Sequence, residues 1–120
     1  MRILIVDDSR VMRMIVQRTL RQAGFGDHEL VEAENGVEAL ESIAANRPDL
    51  VLSDWNMPEM TGIQLLKELN NQGAGLKFGF VTSESTPEMR EQATANGALF
   101  LIAKPFTAET FQEAITPILG

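Results

Sequence analysis

The sequence predicts an α/β fold, in which a five-stranded parallel sheet is covered by helices on both faces. Short apolar segments, each the length of one strand, alternate five times with segments whose apolar residues repeat at helical spacing. The first short segment, residues 3–6, is apolar at every position, which is typical of a strand buried on both faces. Strands that alternate with helices pair in parallel through right-handed crossovers.

The first strand is expected at residues 3–6, and either Asp8 or Ser9 can cap the helix that follows. Gly24 is a natural end for this helix. Its predicted inward face consists of Val11, Met12, Ile15, Val16, Thr19, Leu20 and Ala23. Its predicted outward face consists of Arg10, Arg13, Gln17, Arg18 and Arg21.

The second strand, residues 30–33, is more polar than the others and is expected at an edge of the sheet. A turn at Asn35-Gly36 leads into a second amphipathic helix, which ends before Pro48. Residues 50–53 form the third predicted strand, and Thr61-Gly62 begins the third helix.

The fourth strand is predicted at residues 78–81, loosened by Gly79. Thr86-Pro87 then starts a helix, because proline is favoured at the first helical position. Its expected inward side chains are Met89, Ala93 and Ala95. The fifth strand is expected at residues 99–103, and Thr107 caps a last helix that Pro117 should end or kink.

Composition limits the class of protein. A chain of 120 residues fits one domain, expected over residues 1–120, and the absence of cysteine excludes disulfides and thiolate metal sites. The N-terminal apolar run is too short for a signal peptide or a membrane span, so a cytoplasmic, non-membrane protein is expected. A net charge of −7 disfavours direct nucleic-acid binding and favours a basic partner or a cation site.

Polar residues follow four of the predicted strands. Asp7 and Asp8 follow the first strand, Asp54 the third, Thr82-Ser83 the fourth and Lys104 the fifth. Parallel strands share one C-terminal edge, which is where open α/β sheets usually bind ligands. The sequence therefore predicts that these side chains meet in one cluster. The alternative is that each of them has only a structural role, as a helix cap, a turn residue or a partner in an ion pair.

The predicted cluster indicates phosphoryl-transfer chemistry. Carboxylates gathered in one cleft repel each other, and a proton, Lys104 or a divalent cation must offset that repulsion. Carboxylate oxygens without His or Cys suit Mg²⁺ better than Zn²⁺. Asp54 is then a nucleophile that forms an acyl phosphate, while Lys104 and Thr82 interact with phosphoryl oxygens.

Several sequence motifs resemble the receiver domain of bacterial two-component response regulators, and the resemblance spans essentially the whole chain. The motifs are Val6-Asp7-Asp8-Ser9, the segment 34–40 (ENGVEAL), the segment 53–58 (SDWNMP), Val81-Thr82 and Lys104-Pro105-Phe106. The resemblance implies a flavodoxin-like sheet with strand order 2-1-3-4-5.

The resemblance also implies roles for the clustered residues. Asp54 would accept a phosphoryl group from a histidine kinase, and Lys104 and Thr82 would bind that group. Asp8 and Asp54 would bind Mg²⁺ directly, and Asp7 would bind it through water.

In the same family, Asn56 would bind the Mg²⁺ through its backbone carbonyl. Asn56 and Glu84 occupy the two positions that modulate autodephosphorylation. Lys104-Pro105 would be a cis peptide.

Three positions depart from the family pattern. Leu101 lies where an aromatic residue usually moves inward as the threonine engages phosphate, so the resemblance leaves an aromatic switch in question. Thr61 replaces a common aspartate, and Pro117 shortens the helix of the usual partner-binding face. A partner is expected to dock around residues 89–111.

The resemblance implies a phosphorylation-dependent switch, monomeric and not an enzyme beyond self-catalysed phosphorylation and dephosphorylation. The nearest family precedent is chemotaxis, with a flagellar motor switch protein or a phosphatase as partner. A phosphate sink or phosphorelay shuttle without motor binding is the alternative. Other classes weighed were a small aspartyl-phosphate phosphohydrolase, a flavin-binding module and a non-catalytic interaction domain.

Overall fold

The computed structural model describes residues 1–119 and has the predicted architecture. All five strands pair in parallel, in the order β2-β1-β3-β4-β5, which confirms both the fold class and the strand order. The strands are β1 (Arg2–Val6), β2 (Glu29–Ala33), β3 (Leu50–Ser53), β4 (Lys77–Thr82) and β5 (Phe100–Ala103). The polar strand β2 lies at an edge of the sheet, as its composition predicts.

Five helices connect and follow the strands. They are α1 (Arg10–Leu20), α2 (Gly36–Ala45), α3 (Gly62–Asn71), α4 (Pro87–Ala95) and α5 (Ala108–Leu119). A π-helical turn, Arg21–Phe25, extends α1, and within it Gly24 takes a φ of +97°, the left-handed conformation that often ends a helix. Among the residues described, no helix is long and apolar enough to cross a membrane.

The sheet separates two apolar layers. One contains the side chains of Ile3, Ile5, Val16, Leu20, Leu50, Leu52, Val81, Ile102, Phe111 and Ile115, so α1 and α5 cover that face. The other contains Leu4, Val6, Ala39, Val51, Ile63, Leu65, Leu66, Phe78, Phe80 and Ala93, so α2, α3 and α4 cover the opposite face. Burial on both faces explains the near-continuous apolar runs of β1 and β3.

Gly79 of β4 pairs with Phe100 of β5. A β-carbon at Gly79 would overlap the ring of Phe100, so only glycine leaves room for that ring over the strand. This glycine therefore permits close packing of an aromatic side chain, in addition to the weakening of the strand expected from its flexibility.

The predicted faces of α1 need correction. Val11 and Ile15 are 65% and 37% exposed, although the helical spacing placed them inside. Arg13, expected outside, has a side chain only 12% exposed. The buried stripe of α1 contains Val16, Thr19 and Leu20, so it is narrower than the apolar pattern suggests. Periodicity gives the direction of a buried face but not its width.

Two further details of the helices differ from expectation. Ala95 of α4 is exposed, while Ala93 is buried and Met89 is half-buried. Pro117 does not end α5, which continues to Leu119. A helical proline lacks one N–H donor and crowds the carbonyl one turn earlier, and Pro117 lies in the last turn of α5. The Lys77 Nζ donates a 3.0 Å hydrogen bond to the Ile118 carbonyl in that turn.

Candidate functional site

The site begins where β1 and β3 end side by side. Val6 and Ser53 are register partners at the ends of these strands. The Asp54 N–H donates to the Val6 carbonyl at 2.8 Å, and the Asp7 N–H donates to the Ala33 carbonyl at 3.1 Å. These bonds continue the sheet for one more residue, so both aspartates leave it at the same edge and at a fixed spacing.

Three carboxylates meet at this edge. Each of Asp7, Asp8 and Asp54 offers one oxygen, and these three oxygens all lie within 4.8 Å of one another. Asp7 and Asp54 are buried, being 4% and 9% exposed, whereas Asp8 is exposed. The convergence predicted from parallel strand ends is therefore present in the fold for these three residues.

Lys104 lies against the two buried carboxylates. Its Nζ is 3.2 Å from Asp7 Oδ2 and 3.7 Å from Asp54 Oδ2, and its side chain is 15% exposed. Its N–H donates to the Thr82 carbonyl at 2.8 Å, which fixes the lysine backbone to the end of β4. The Lys104-Pro105 peptide is cis. One ammonium group therefore faces two of the three clustered carboxylates.

The electrostatics of the site act on the pKa of the Asp54 carboxyl. Burial raises the pKa of the Asp54 carboxyl above its ordinary value of 3.8, and the nearby charges of Asp7 and Asp8 raise it further. The Lys104 ammonium and the Trp55 N–H oppose this rise by stabilising the ionised form. The net shift is upward, so the protein holds this carboxylate at an energetic cost.

Every polar group of Asp7 is hydrogen-bonded. Its Oδ1 accepts from the Ser9 N–H at 2.9 Å, and its Oδ2 accepts from Lys104. Its backbone N–H is bound to Ala33, and its backbone carbonyl accepts a 2.7 Å bond from the Arg13 guanidinium. Asp7 is therefore fixed in both side chain and backbone.

Asp54 is held by its immediate neighbours in sequence. Its Oδ1 accepts from the Trp55 N–H at 2.8 Å, and its backbone carbonyl accepts from the Ser53 hydroxyl at 2.8 Å. Gly62, the first residue of α3, packs against that carbonyl so closely that any β-carbon there would overlap it. The remaining oxygen of Asp54 faces Lys104.

The side of the site formed by the β4–α4 loop is more loosely connected. Thr82 is fully buried, and its hydroxyl oxygen accepts from the Glu84 N–H at 3.3 Å. The Asn56 side-chain amide donates to Glu84 Oε1 at 3.4 Å, which links the loop after β3 to the loop after β4. Leu101 is half-buried and belongs to the layer covered by α2, α3 and α4, whereas Phe100 belongs to the opposite layer.

The donor set at this edge fits a hard divalent cation. Carboxylate oxygens from Asp7, Asp8 and Asp54 are grouped closely enough to share one ion. The ring of His28, the single histidine, lies 6.0 Å from that of Phe25 in a tilted arrangement, and His28 is not part of the group. Oxygen ligands without imidazole or thiolate favour Mg²⁺, which keeps several waters and binds few protein carboxylates.

Sequence patterns missed some residues that shape the site. Arg13 was assigned to the outer face of α1, and nothing in the sequence singled out its ion-pair partner Glu32. The sequence predicts Ser9 as a possible helix cap, which the structure confirms, but it does not indicate that the Ser9 N–H donates to Asp7. A first-turn arginine so close to a strand-end aspartate was the available signal, because the first turn of a helix lies beside the preceding strand end.

The fold and the site together define a class of small α/β protein with an acidic cluster at the C-terminal edge of a 2-1-3-4-5 parallel sheet. A family profile described as response regulator receiver domain matches residues 3–116. The chain belongs to that family.

Curated relatives and solved structures agree with this assignment. The chain is 39% identical to chemotaxis protein CheY1 of Helicobacter pylori, over 100% of this chain and 98% of that protein. It is 40% identical to chemotaxis protein CheY-3 of Vibrio cholerae, over 98% of this chain and 91% of that protein. A structure of V. cholerae CheY4 superposes with a TM-score of 0.86 at 34% identity, covering 98% of this chain and 97% of that one.

Proposed function

We propose that residues 1–120 act as one receiver domain that accepts a phosphoryl group from a histidine kinase on Asp54. The observation that carries this proposal is the environment of Asp54. Its Oδ2 lies 3.7 Å from the Lys104 ammonium, and its carboxylate is grouped with those of Asp7 and Asp8. A nucleophilic carboxylate beside a cation and a cation-binding group is the arrangement that phosphoryl transfer requires.

In the proposed reaction, an Asp54 carboxylate oxygen attacks the phosphorus of a phosphohistidine. An O–P bond forms at Asp54, the P–N bond of the donor breaks, and its electron pair remains on the histidine nitrogen. Asp54 attacks in its ionised form, which the Lys104 ammonium and the Trp55 N–H stabilise against burial. The same lysine is close enough to interact with a phosphoryl oxygen, so the protein provides positioning and charge stabilisation.

The proposed cofactor is Mg²⁺. Asp8 and Asp54 would hold it directly, Asp7 through water and Asn56 through its backbone carbonyl. When bound, Mg²⁺ neutralises negative charge on the transferring phosphoryl group. Binding of Asp7 to Mg²⁺ through water is supported by its hydrogen bonds, because both of its carboxylate oxygens already accept, one from the Ser9 N–H and one from Lys104.

Phosphorylation is proposed to act as a switch through Thr82. Its hydroxyl oxygen accepts from the Glu84 N–H, and its hydrogen is available to donate to a phosphoryl oxygen. Asn56 and Glu84, in contact at 3.4 Å, are proposed to modulate autodephosphorylation. Moving a two-state equilibrium from 1% to 99% needs about 5.5 kcal/mol, which a few charge-assisted hydrogen bonds supply.

The proposed output is chemotaxis signalling in the cytoplasm, through a flagellar motor switch protein or a phosphatase. Relatives named chemotaxis proteins align over nearly the whole chain, which supports this output. The surface around residues 89–111 is the proposed docking region, and its Leu99 is 52% exposed. The protein is proposed to work as a monomer, without direct nucleic-acid binding or membrane insertion, and without a separate turnover reaction.

A phosphate sink or relay shuttle is the second candidate function. Leu101 favours it, because this half-buried side chain stands where the family usually carries the aromatic residue that couples phosphorylation to the partner surface. A leucine has no ring to move inward as Thr82 engages a phosphoryl group. Affinity for a motor-type partner then depends less on the state of Asp54 than it does in proteins with the aromatic residue.

The decisive test is intact-mass spectrometry after incubation with acetyl phosphate and Mg²⁺. We expect one phosphoryl group on the wild-type protein and none on the Asp54→Asn variant. An unchanged wild-type mass, with a known receiver domain labelled in parallel, would refute the proposal. Sustained hydrolysis of p-nitrophenyl phosphate would instead favour the phosphohydrolase class.

A separate pull-down distinguishes the two outputs. Wild-type protein activated with beryllofluoride and Mg²⁺ is compared with the Asp54→Ala variant as bait, and a purified motor switch protein is added. Capture that depends on activation supports the motor-switch output. Absence of capture in both arms, with phosphorylation of the wild type intact, supports the sink or shuttle.

A further inference from the structure

Arg13 connects three elements beneath the acidic site. Its NH1 donates a 2.7 Å hydrogen bond to the backbone carbonyl of Asp7, and its Nε donates to Glu32 Oε1 at 2.9 Å. Arg13 lies in the first half of α1, Asp7 follows β1, and Glu32 belongs to β2. With only 12% of its side chain exposed, the guanidinium is largely shielded from solvent.

The bond to the Asp7 carbonyl bears on Asp8 through covalent geometry. The Asp7 carbonyl and the Asp8 N–H belong to one planar peptide unit, so fixing the carbonyl direction fixes the orientation of that unit and the position of the Asp8 Cα. The Asp8 carboxylate accepts no hydrogen bond from any residue that the structure describes. Its position relative to Asp54 therefore depends on the backbone that carries it.

Glu32 in turn orients Arg13. It pairs in register with Ile5 of β1, and its ion pair draws the guanidinium toward the sheet edge instead of toward solvent. The planar guanidinium of Arg13 donates one hydrogen bond from Nε and one from NH1, and the ammonium group of a lysine cannot reproduce this geometry. An exposed acid on the edge strand is thus linked through Arg13 to the peptide that precedes Asp8.

We propose that Arg13, oriented by Glu32, is a positioning residue that presents the Asp8 carboxylate to the cation shared with Asp54. This inference rests on the proposed function, because it assigns Arg13 a part in cation binding and none in contacting the phosphoryl group. Removal of a residue that orients a metal ligand commonly weakens metal binding about 10- to 100-fold.

The sign of the effect separates positioning from simple electrostatics. Removing a positive charge near three carboxylates would, by charge alone, strengthen the binding of a divalent cation. Loss of positioning weakens it instead. A purely structural role for Arg13 lowers the stability of the fold and leaves the cation affinity of the folded protein unchanged.

The test compares Arg13→Met with Arg18→Met, a matched charge change at an exposed position on the same helix. Mg²⁺ alone is titrated into each protein. Binding is monitored through the fluorescence of the single tryptophan, Trp55, which adjoins Asp54. We expect the Kd for Mg²⁺ to rise about tenfold in Arg13→Met. For Arg18→Met we expect a Kd within about twofold of wild type, because an exposed charge is screened.

Two further measurements complete the experiment. In Mg²⁺-free protein, the amide NMR signals of Asp8 and Ser9 should shift in Arg13→Met and stay in place in Arg18→Met. Glu32→Gln should raise the Kd less, by no more than about fivefold, as expected for a partly exposed ion pair.

Each outcome decides the inference. A Kd in Arg13→Met that equals or falls below that of Arg18→Met overturns it. Should Arg13→Met fail to fold, Arg13→Lys and Glu32→Gln replace it, and wild-type affinity in both overturns the inference equally. Wild-type protein that binds no Mg²⁺ or accepts no phosphoryl group refutes the proposed function itself, which is a distinguishable result.

Discussion

The two sides of the acidic site differ in how tightly they are held. On the β1–α1 side, Asp7 takes part in four hydrogen bonds of 2.7, 2.9, 3.1 and 3.2 Å, with partners on α1, β2, the loop after β1 and the loop after β5. On the β4–α4 side, Glu84 is joined to Thr82 at 3.3 Å and to Asn56 at 3.4 Å. The latter distances lie at the weak end of hydrogen bonding.

This difference separates a preformed half from an adaptable half. The buried carboxylates of Asp7 and Asp54 are hydrogen-bonded before any ligand arrives, which reduces the entropy lost on binding. The groups proposed to respond to a phosphoryl group exchange weak bonds for stronger, charge-assisted ones, so their rearrangement costs little. A switch of this kind needs both properties, and the molecule places them on opposite sides of Asp54.

The largest effect is expected from Lys104→Met, which removes the cation that contacts both buried carboxylates. We expect the phosphorylation rate with acetyl phosphate to fall about 100-fold or more, the loss typical when one preorganised charge-stabilising group is deleted. Intact-mass time courses measure the rate, and Lys67→Met on the exposed surface of α3 is the control. Equal rates in the two variants would show that Lys104 is only a structural ion-pair partner.

Asp54→Asn should stabilise the Mg²⁺-free protein at neutral pH. Folding raises the pKa of Asp54, so the unfolded state loses this proton at lower pH than the folded state does. Wild-type stability therefore falls as pH rises from the ordinary carboxyl pKa through the raised one, whereas the variant lacks this loss. We expect the variant to unfold at a higher temperature than the wild type at pH 7, because it carries no buried charge at this position.

Thermal unfolding at several pH values checks this expectation. The advantage of Asp54→Asn should be absent below the ordinary carboxyl pKa, grow through the interval up to the raised pKa, and then stay constant. Added Mg²⁺ should stabilise the wild type more than the variant. A constant difference across the whole pH range would contradict the raised pKa of Asp54.

Ser9→Ala tests the tightly held side with a smaller change. The Ser9 hydroxyl caps α1 by accepting from the Met12 N–H at 3.2 Å, whereas the Ser9 N–H that binds Asp7 is retained in the variant. We expect a loss of about 1 kcal/mol in the free energy of unfolding, the usual cost of removing a serine cap. Urea denaturation measures it. A Kd for Mg²⁺ close to that of the wild type would show that the backbone bond, and not the cap, holds Asp7.

The predictable part of the site follows from strand direction alone. Asp7, Asp54 and Lys104 each come directly after a strand, and parallel strands share one C-terminal edge, so their meeting required no knowledge of packing. The caps Ser9 and Thr61 were equally predictable, because a helix start has a local chemical signature.

The parts that could not be predicted depend on tertiary contacts. Helical periodicity assigned Arg13 to the outside because it contains no information about the strand end that lies beside the first turn of α1. The same periodicity could not show that the buried stripe of α1 is narrow enough to leave Val11 exposed. A proline inside an apolar helical pattern predicts an end or a kink, yet α5 continues past Pro117 to Leu119.

The smallest effect is expected on the loosely held side, from Glu84→Ala. This exposed side chain accepts one long hydrogen bond from Asn56, so its removal should change the free energy of unfolding by less than about 0.5 kcal/mol. The Glu84 N–H that binds the Thr82 hydroxyl remains in the variant. Urea denaturation beside Ser9→Ala makes the comparison direct. A loss in Glu84→Ala as large as that in Ser9→Ala would show that the β4–α4 side is as firmly held as the β1–α1 side, and the division into a preformed and an adaptable half would have to be abandoned.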